Sequence, residues 1–130
     1  MLTNSRMTTM LPVIDVTRAR AFYEQKLALK PMGFNADGKF IYDCGGALLA
    51  LFPKPGGTRA EHTAVSFRVD DIAREIHELK ARGVVFEDYD LPGLKTVGNV
   101  CVLGAEKAAW FKDTEGNFLC IHEDLAQTAG

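Results

Sequence analysis

One hundred and thirty residues suffice for a single domain, which at this length buries roughly two thirds of its unfolded surface and needs no disulfide support. A formal charge of −2, with Lys and Arg scattered among the acids, excludes an electrostatic case for nucleic acid and leaves a small molecule or a protein as partner. No apolar run approaches the ~20 residues of a membrane span, and residues 1–10 lack the apolar centre of a signal peptide, so a cytoplasmic protein with no membrane partner is expected.

Residues 1–6 are polar and unpatterned and read as a frayed end. Residues 7–14 alternate as a strand, with Thr9, Leu11 and Val13 on one face and Thr8 and Met10 on the other. Asp15 or Thr17 can accept a backbone N–H and start a helix whose apolar stripe is Ala19, Phe22, Tyr23 and Leu27; Pro31 and Gly33 end it. Three strands follow, near 32–35, over 39–43 and over 47–52, with Asp37-Gly38 and Gly45-Gly46 supplying the reversals. Pro53-Lys54-Pro55-Gly56-Gly57-Thr58 can neither continue a sheet nor begin a helix, so residues 54–60 read as an internal linker.

The pattern then starts again. Residues 63–69 alternate, with Val65, Phe67 and Val69 on one face, and Asp70 or Asp71 caps a helix whose stripe is Ile72, Ile76 and Leu79. Gly83 ends that helix, Lys80 and Arg82 suit its last turn, and Glu78 and Arg82 are spaced for an i,i+4 pair. A strand covers 84–87. Residues 88–107 exceed a typical connection, and two readings stay open for them: a surface excursion with a short strand near 100–103, or a flap over a binding site. Strands over 108–112 and 118–122 form a hairpin around Asp113-Thr114-Glu115-Gly116-Asn117, whose residue types tolerate the backbone angles of a tight reversal. Residues 125–130 read as a tail.

A strand, a helix and three strands are therefore stated twice, as modules over residues 7–53 and 61–124. Placing Gly46 on Gly116 puts Leu49 and Leu51 on Leu119 and Ile121, and placing Asp15 on Asp71 puts Leu11 and Val13 on Phe67 and Val69. The fold class expected is α+β: two βαβββ modules forming one cup-shaped mixed sheet with the helices on its convex face. Alternation assigns Thr8, Met10, Phe40, Tyr42, Ala50 and Phe52 of the first module to the concave face. From the second it assigns Ala64, Ser66, Trp110, Lys112, Phe118, Cys120 and His122. Aromatic walls with small residues between them suit a flat, largely apolar small molecule, oriented by Lys112, Tyr42 and His122. Each of these three reads equally as a solvated strand residue. Cys44, Cys101 and Cys120 are odd in number and lack CxxC spacing, so they are expected as free thiols, and no catalytic residue is assigned.

Leu11-Pro-Val-Ile-Asp15 followed by Ala21-Phe-Tyr23 and Leu27, then Phe67-Arg-Val-Asp-Asp71, Leu79-Lys-Ala-Arg-Gly83 and Ala109-Trp-Phe-Lys-Asp-Thr-Glu-Gly-Asn117, resemble the vicinal oxygen chelate superfamily. That is the fold of glyoxalases, bleomycin-resistance proteins and extradiol dioxygenases, and the likeness covers about residues 7–123. Ala28 stands where the family has Gly after the helix, and Thr114 where its turn has Pro. The larger departure concerns metal. The resemblance places the family's ion-holding side chains at Thr8, Ala50, Ala64 and Cys120, a set that cannot assemble three N, O or S ligands, so neither metal nor cofactor is expected there. With Ala64 level with Cys120, His62 and His122 would stand ~13 Å apart at ~3.3 Å per residue, too far to share an ion; His77 lies on the helix.

The first functional expectation is thus a small-molecule binding protein with a metal-free cavity, in the manner of the drug-sequestering members. The alternative is a lyase, isomerase or dioxygenase of the glyoxalase type, with a non-standard metal site or none. An interaction module whose aromatic face is covered by a partner chain is the third. The resemblance implies a homodimer and leaves open whether modules are exchanged between chains.

Overall fold

A computed structural model describes residues 1–125 of the chain, so residues 126–130 of the tail lie outside the described residues. Two compact units divide the chain: Met1–Ala60 with Asp113–Asn117, and Glu61–Lys112 with the chain from Phe118.

The first unit contains β1 (Thr8–Val13), α1 (Val16–Ala21), β2 (Lys30–Phe34), β3 (Phe40–Cys44) and β4 (Ala47–Pro53), in the sheet order β1-β4-β3-β2 with β1 parallel to β4. Asp15 starts α1: its backbone is extended and its carboxylate accepts the Arg18 N–H at 3.0 Å. Past Ala21 the helix widens into a π-helical turn over Phe22–Lys26, closed by the Leu27 N–H on the Phe22 carbonyl at 3.3 Å. Ala28 then reverses the chain at a left-handed φ of 57°. Ala19, Phe22 and Tyr23 are buried with Leu11, Val13, Leu49 and Leu51, the aliphatic side of the sheet.

Phe40 and Tyr42 lie on that helix-facing side too, which corrects their assignment to the open face. The pairing Phe40 with Leu51 and Tyr42 with Leu49 sets their phase, and Ile41 instead joins Ala50 and Met10 on the other side. The Tyr42 hydroxyl donates to Glu24 at 2.8 Å, its ring stands 6.0 Å from that of Tyr23, and the Arg20 guanidinium covers Phe40 at 4.0 Å. Alternation was carried across two glycine turns whose length, and hence whose register, composition does not fix.

Residues 54–60, read as a linker, are held within this unit by the Lys54 N–H on the Val13 carbonyl at 2.9 Å and the Lys54 Nζ on the Gly57 carbonyl at 2.8 Å. Gly57 sits at φ +61°, a left-handed conformation that favours glycine, and a Cβ there would stand 2.9 Å from Ile14 Cγ1.

The second unit contains β5 (Thr63–Arg68), α2 (Ile72–Ala81), β6 (Phe86–Glu87), β7 (Asp90–Leu91), β8 (Leu94–Lys95), β9 (Cys101–Leu103), β10 (Glu106–Lys112) and β11 (Phe118–Asp124). Its main sheet runs β5-β11-β10-β6 with β5 parallel to β11, the same first-last-third-second order as the first unit. The long connection supplies β9, which pairs with β10, and the separate hairpin β7-β8. Asp71 caps α2 by accepting the Arg74 N–H at 3.1 Å, and Glu123 Oε1 accepts the Ile72 N–H at 2.8 Å, a carboxylate at a helix N-terminus. That second bond fixes the phase of β11: Leu119, Ile121 and Glu123 face α2, while Phe118, Cys120 and His122 face away.

Glu78 pairs with Arg74 at 3.5 Å. Two further readings change. The strand over 84–87 contracts to its last two residues. β10 and β11 each extend two residues further than read, to Glu106 and Asp124. The fold is α+β, and among the described residues no helix is long and apolar enough to cross a membrane.

Candidate functional site

On the first unit's open face Thr8, Met10 and Pro12 stand opposite Leu48, Ala50 and Phe52. Met10 is exposed and Ala50 fully buried. Phe52 and Pro12 also border a cavity of about 500 Å³ with Lys54, Gly57 and Arg59. The sequence reading missed this cavity because it forms in the supposed linker.

The second unit's open face carries most of the predicted groups. Trp110, Cys120 and Ser66 stand side by side across β10, β11 and β5. A bulge between Phe118 and Leu119 shifts the register, so Cys120 is level with Ser66 and not with Ala64; His62 is thereby still further from His122 along the strands. Trp110 is half-buried and its position is specified from two sides. Its indole N–H donates to Thr63 Oγ1 at 3.1 Å, and the Tyr89 ring meets it edge-on at 5.6 Å. Lys112 Nζ stands 4.9 Å from the centroid of Phe118 and 3.9 Å from Glu87 Oε1. Ser66 Oγ and His122 Nδ1 share a hydrogen bond of 2.5 Å, which orients the imidazole and can hold or pass a proton. Ala64 is exposed and falls at the bulge, between Thr63 opposite Phe118 and Val65 opposite Leu119.

Tyr89, Thr63, Glu87, Glu106 and Asp124 were missed. Extending the alternation of β10 and β11 by one more pair would have placed Glu106 and Asp124 on the face of His122. Tyr89 lies in the irregular connection, where periodicity carries no signal.

The donor set at Thr8, Ala50, Ala64 and Cys120 does not fit a metal ion. Neither alanine offers a donor atom. Burial pushes the Cys120 thiol up, and the Glu106 carboxylate adds to this; the hydrogen bonds from Ser66 and the Ala109 backbone oppose it without prevailing, so the thiolate a metal would bind is disfavoured. No catalytic step is derived through a metal at this position.

Each unit has its first strand parallel to its last and antiparallel neighbours beside it, which defines a protein of repeated βαβββ organisation. The chain belongs to the Glyoxalase/Bleomycin resistance protein/Dioxygenase superfamily, whose family model matches residues 7–121. Among solved structures it is similar to TnmS3, an antibiotic binding protein from Streptomyces sp. CB03234, at 21% identity and TM-score 0.73, covering 95% of this chain and 98% of that one. It is also similar to a lactoylglutathione lyase from Agrobacterium tumefaciens, at 20% identity and TM-score 0.66 over 92% and 93% of the chains. The fosfomycin resistance protein FosX from Listeria monocytogenes is similar at 14% identity and TM-score 0.67 over 98% and 96%. At these identities the likeness shows the fold. No curated protein sequence matches the chain.

Proposed function

We propose that the protein binds a small, flat, largely apolar or aromatic molecule against the open face of its second sheet, with no metal at the superfamily's usual position. One observation carries the reading: Trp110 and Phe118 lie on the face of the sheet turned away from α2, and Trp110 is braced there by Thr63 and Tyr89. A stacked ring would remove that apolar area from water, a gain of ~25 cal/mol per Å². Lys112, whose ammonium stands 4.9 Å from the Phe118 ring centroid, favours an anionic or carbonyl-bearing substituent on the ligand. TnmS3 is an antibiotic binding protein, which supplies a precedent for small-molecule binding on this fold. In this reading the protein works in the cytoplasm as a homodimer, which sedimentation of the purified protein checks.

Trp110 is the only tryptophan, so its fluorescence reports on this face alone. A panel of flat aromatic acids and ketones should include compounds that quench it saturably and raise the melting temperature, with affinity falling more than tenfold in Phe118→Ala. A panel that neither quenches nor stabilises defeats the proposal.

A glyoxalase-type enzyme is favoured by one feature, the Ser66–His122 hydrogen bond, which positions an imidazole on the same face. Its signature is solvent deuterium exchange into a bound carbonyl compound, followed by NMR and lost in His122→Gln.

A further inference from the structure

We propose that Glu106, His122 and Asp124 form a site for one divalent transition-metal ion, of the kind that accepts mixed nitrogen and oxygen ligands. The site is displaced along β11 from the position at which the superfamily resemblance places a metal. It does not depend on the ligand reading above.

The β10–β11 register sets Glu106 directly opposite Asp124 and the small Ala108 opposite His122. Two like charges facing each other across a strand pair destabilise it, whereas the next pair, Lys107 with Glu123, is complementary. A cation between the two carboxylates converts that repulsion into attraction. One ligand atom from each of Glu106, His122 and Asp124 lies within 4.8 Å of the other two. Ligand atoms around a tetrahedral ion bound at ~2.1 Å stand ~3.4 Å apart, so closure asks only for side-chain rotation of about an ångström and a half.

Two details fit a ligand role for His122. Ser66 occupies Nδ1, leaving Nε2 as the nitrogen for the ion, which is the way a metal-bound imidazole is ordinarily oriented through its second nitrogen. The two carboxylates also border a cavity of about 500 Å³, with Leu103, Ala105 and Leu125, which leaves space for water or a further ligand to complete the coordination. The competing cation is Arg68, whose Nε stands 3.3 Å from Asp124 Oδ2; the pair is exposed, and Oδ1 of the same carboxylate is left for the metal. Among the described residues Glu106 makes no ion pair. One imidazole with two carboxylates suits Zn²⁺ or Mn²⁺ better than Ca²⁺ or Mg²⁺, which favour all-oxygen sites.

Equilibrium dialysis of untagged protein against Zn²⁺, Mn²⁺ and Ca²⁺, with metal measured by mass spectrometry, tests the site. One equivalent of Zn²⁺ or Mn²⁺ per chain is expected at micromolar free metal. Affinity should fall more than tenfold in His122→Ala and Glu106→Gln and rise several-fold in Arg68→Gln, which removes the competitor. Mn²⁺ should also broaden the backbone amide resonances around residues 106, 122 and 124 in the unmutated protein, an observation that needs no variant to fold. No stoichiometric uptake, uptake indifferent to both ligand substitutions, or broadening centred elsewhere would each overturn the proposal.

Discussion

The two units share a strand order and use their charged residues in opposite ways. In the first, the turn residues Asp113 and Glu115 are buried and saturated. Asp113 accepts from the Tyr23 hydroxyl at 2.6 Å, from the N–H groups of Glu115 and Asn117 at 2.8 and 2.9 Å, and from Asn117 Nδ2 at 2.8 Å. Glu115 accepts from the Ile14 and Asp15 N–H groups, both at 2.9 Å, from Arg18 at 2.8 and 3.1 Å, and from Thr114 at 2.7 Å. In the second unit His122, Glu106, Asp124 and Lys112 lie on an open face with one weak partner or none among them beyond the Ser66 bond. Saturated charges specify a backbone arrangement; charges left with spare valence are free to meet something from solution.

The sharpest way to break this contrast is Glu115→Ala. Five donors lose their acceptor, though Arg18 is half-exposed and turns to water, so the cost should be roughly 2–4 kcal/mol in urea denaturation. The effect has a pH signature. Burial opposes ionisation of Glu115, but the hydrogen bonds from Arg18, the Asp15 N–H, Thr114 and the Ile14 N–H outweigh it and hold the carboxyl at about 2. A depressed pKa contributes stability above the unfolded value of ~4.3 and loses it as pH falls through the folded one. The gap between wild type and Glu115→Ala should therefore be constant from neutrality to about pH 5 and close as pH approaches 2. A gap independent of pH would show that the carboxylate's charge is not what stabilises the turn.

Tyr23→Phe comes next. Burial, then the Asp113 carboxylate, pushes the Tyr23 hydroxyl well above its ordinary value, so it is a permanent donor, and deleting it removes one of four bonds to Asp113. Remaining donors keep the carboxylate satisfied, so a loss of roughly 1–2 kcal/mol is expected, with no pH dependence in the neutral range. Thermal unfolding measured at pH 6 and pH 8 checks both statements.

Much of this architecture was legible in the sequence because it depends on local patterns. Asp15 and Asp71 announced the helix starts, and Leu11, Val13, Leu49, Leu51, Leu119 and Ile121 announced the helix-facing sides. What depends on register was not. Phe40 and Tyr42 were phased across glycine turns of unknown geometry and landed on the wrong face, and the bulge beside Phe118 moved Cys120 from Ala64 to Ser66. Glu115 looked like an ordinary turn residue. Four of its five donors lie about a hundred positions away, a separation at which no periodicity speaks. The Glu106–His122–Asp124 grouping needed only two more residues of strand on each side, yet strand ends are where propensity is weakest.

A smaller and opposite effect is expected at Ala28. It holds φ 57° after the π-helical turn, where the Cβ of an L-residue is crowded and where the superfamily resemblance has glycine. Ala28→Gly relieves that strain while adding some unfolded-state freedom, so a net gain of roughly 0.5–1 kcal/mol should appear as a higher urea midpoint with an unchanged slope. Destabilisation would mean that the Ala28 methyl packs more usefully than its backbone angle suggests.

The smallest effect on stability should come from Lys112→Ala, and it decides what the open face is for. Lys112 is exposed, its contact with Glu87 is long, and an exposed cation 4.9 Å from the centroid of a half-buried ring is worth little in water, so unfolding should shift by less than ~0.5 kcal/mol. The same substitution should weaken an anionic aromatic ligand several-fold while leaving a neutral analogue unaffected, because only the former uses the ammonium group. If Lys112→Ala instead costs as much as Tyr23→Phe, the charges of the second unit are structural like those of the first, and spare valence on a sheet face carries no information about ligands.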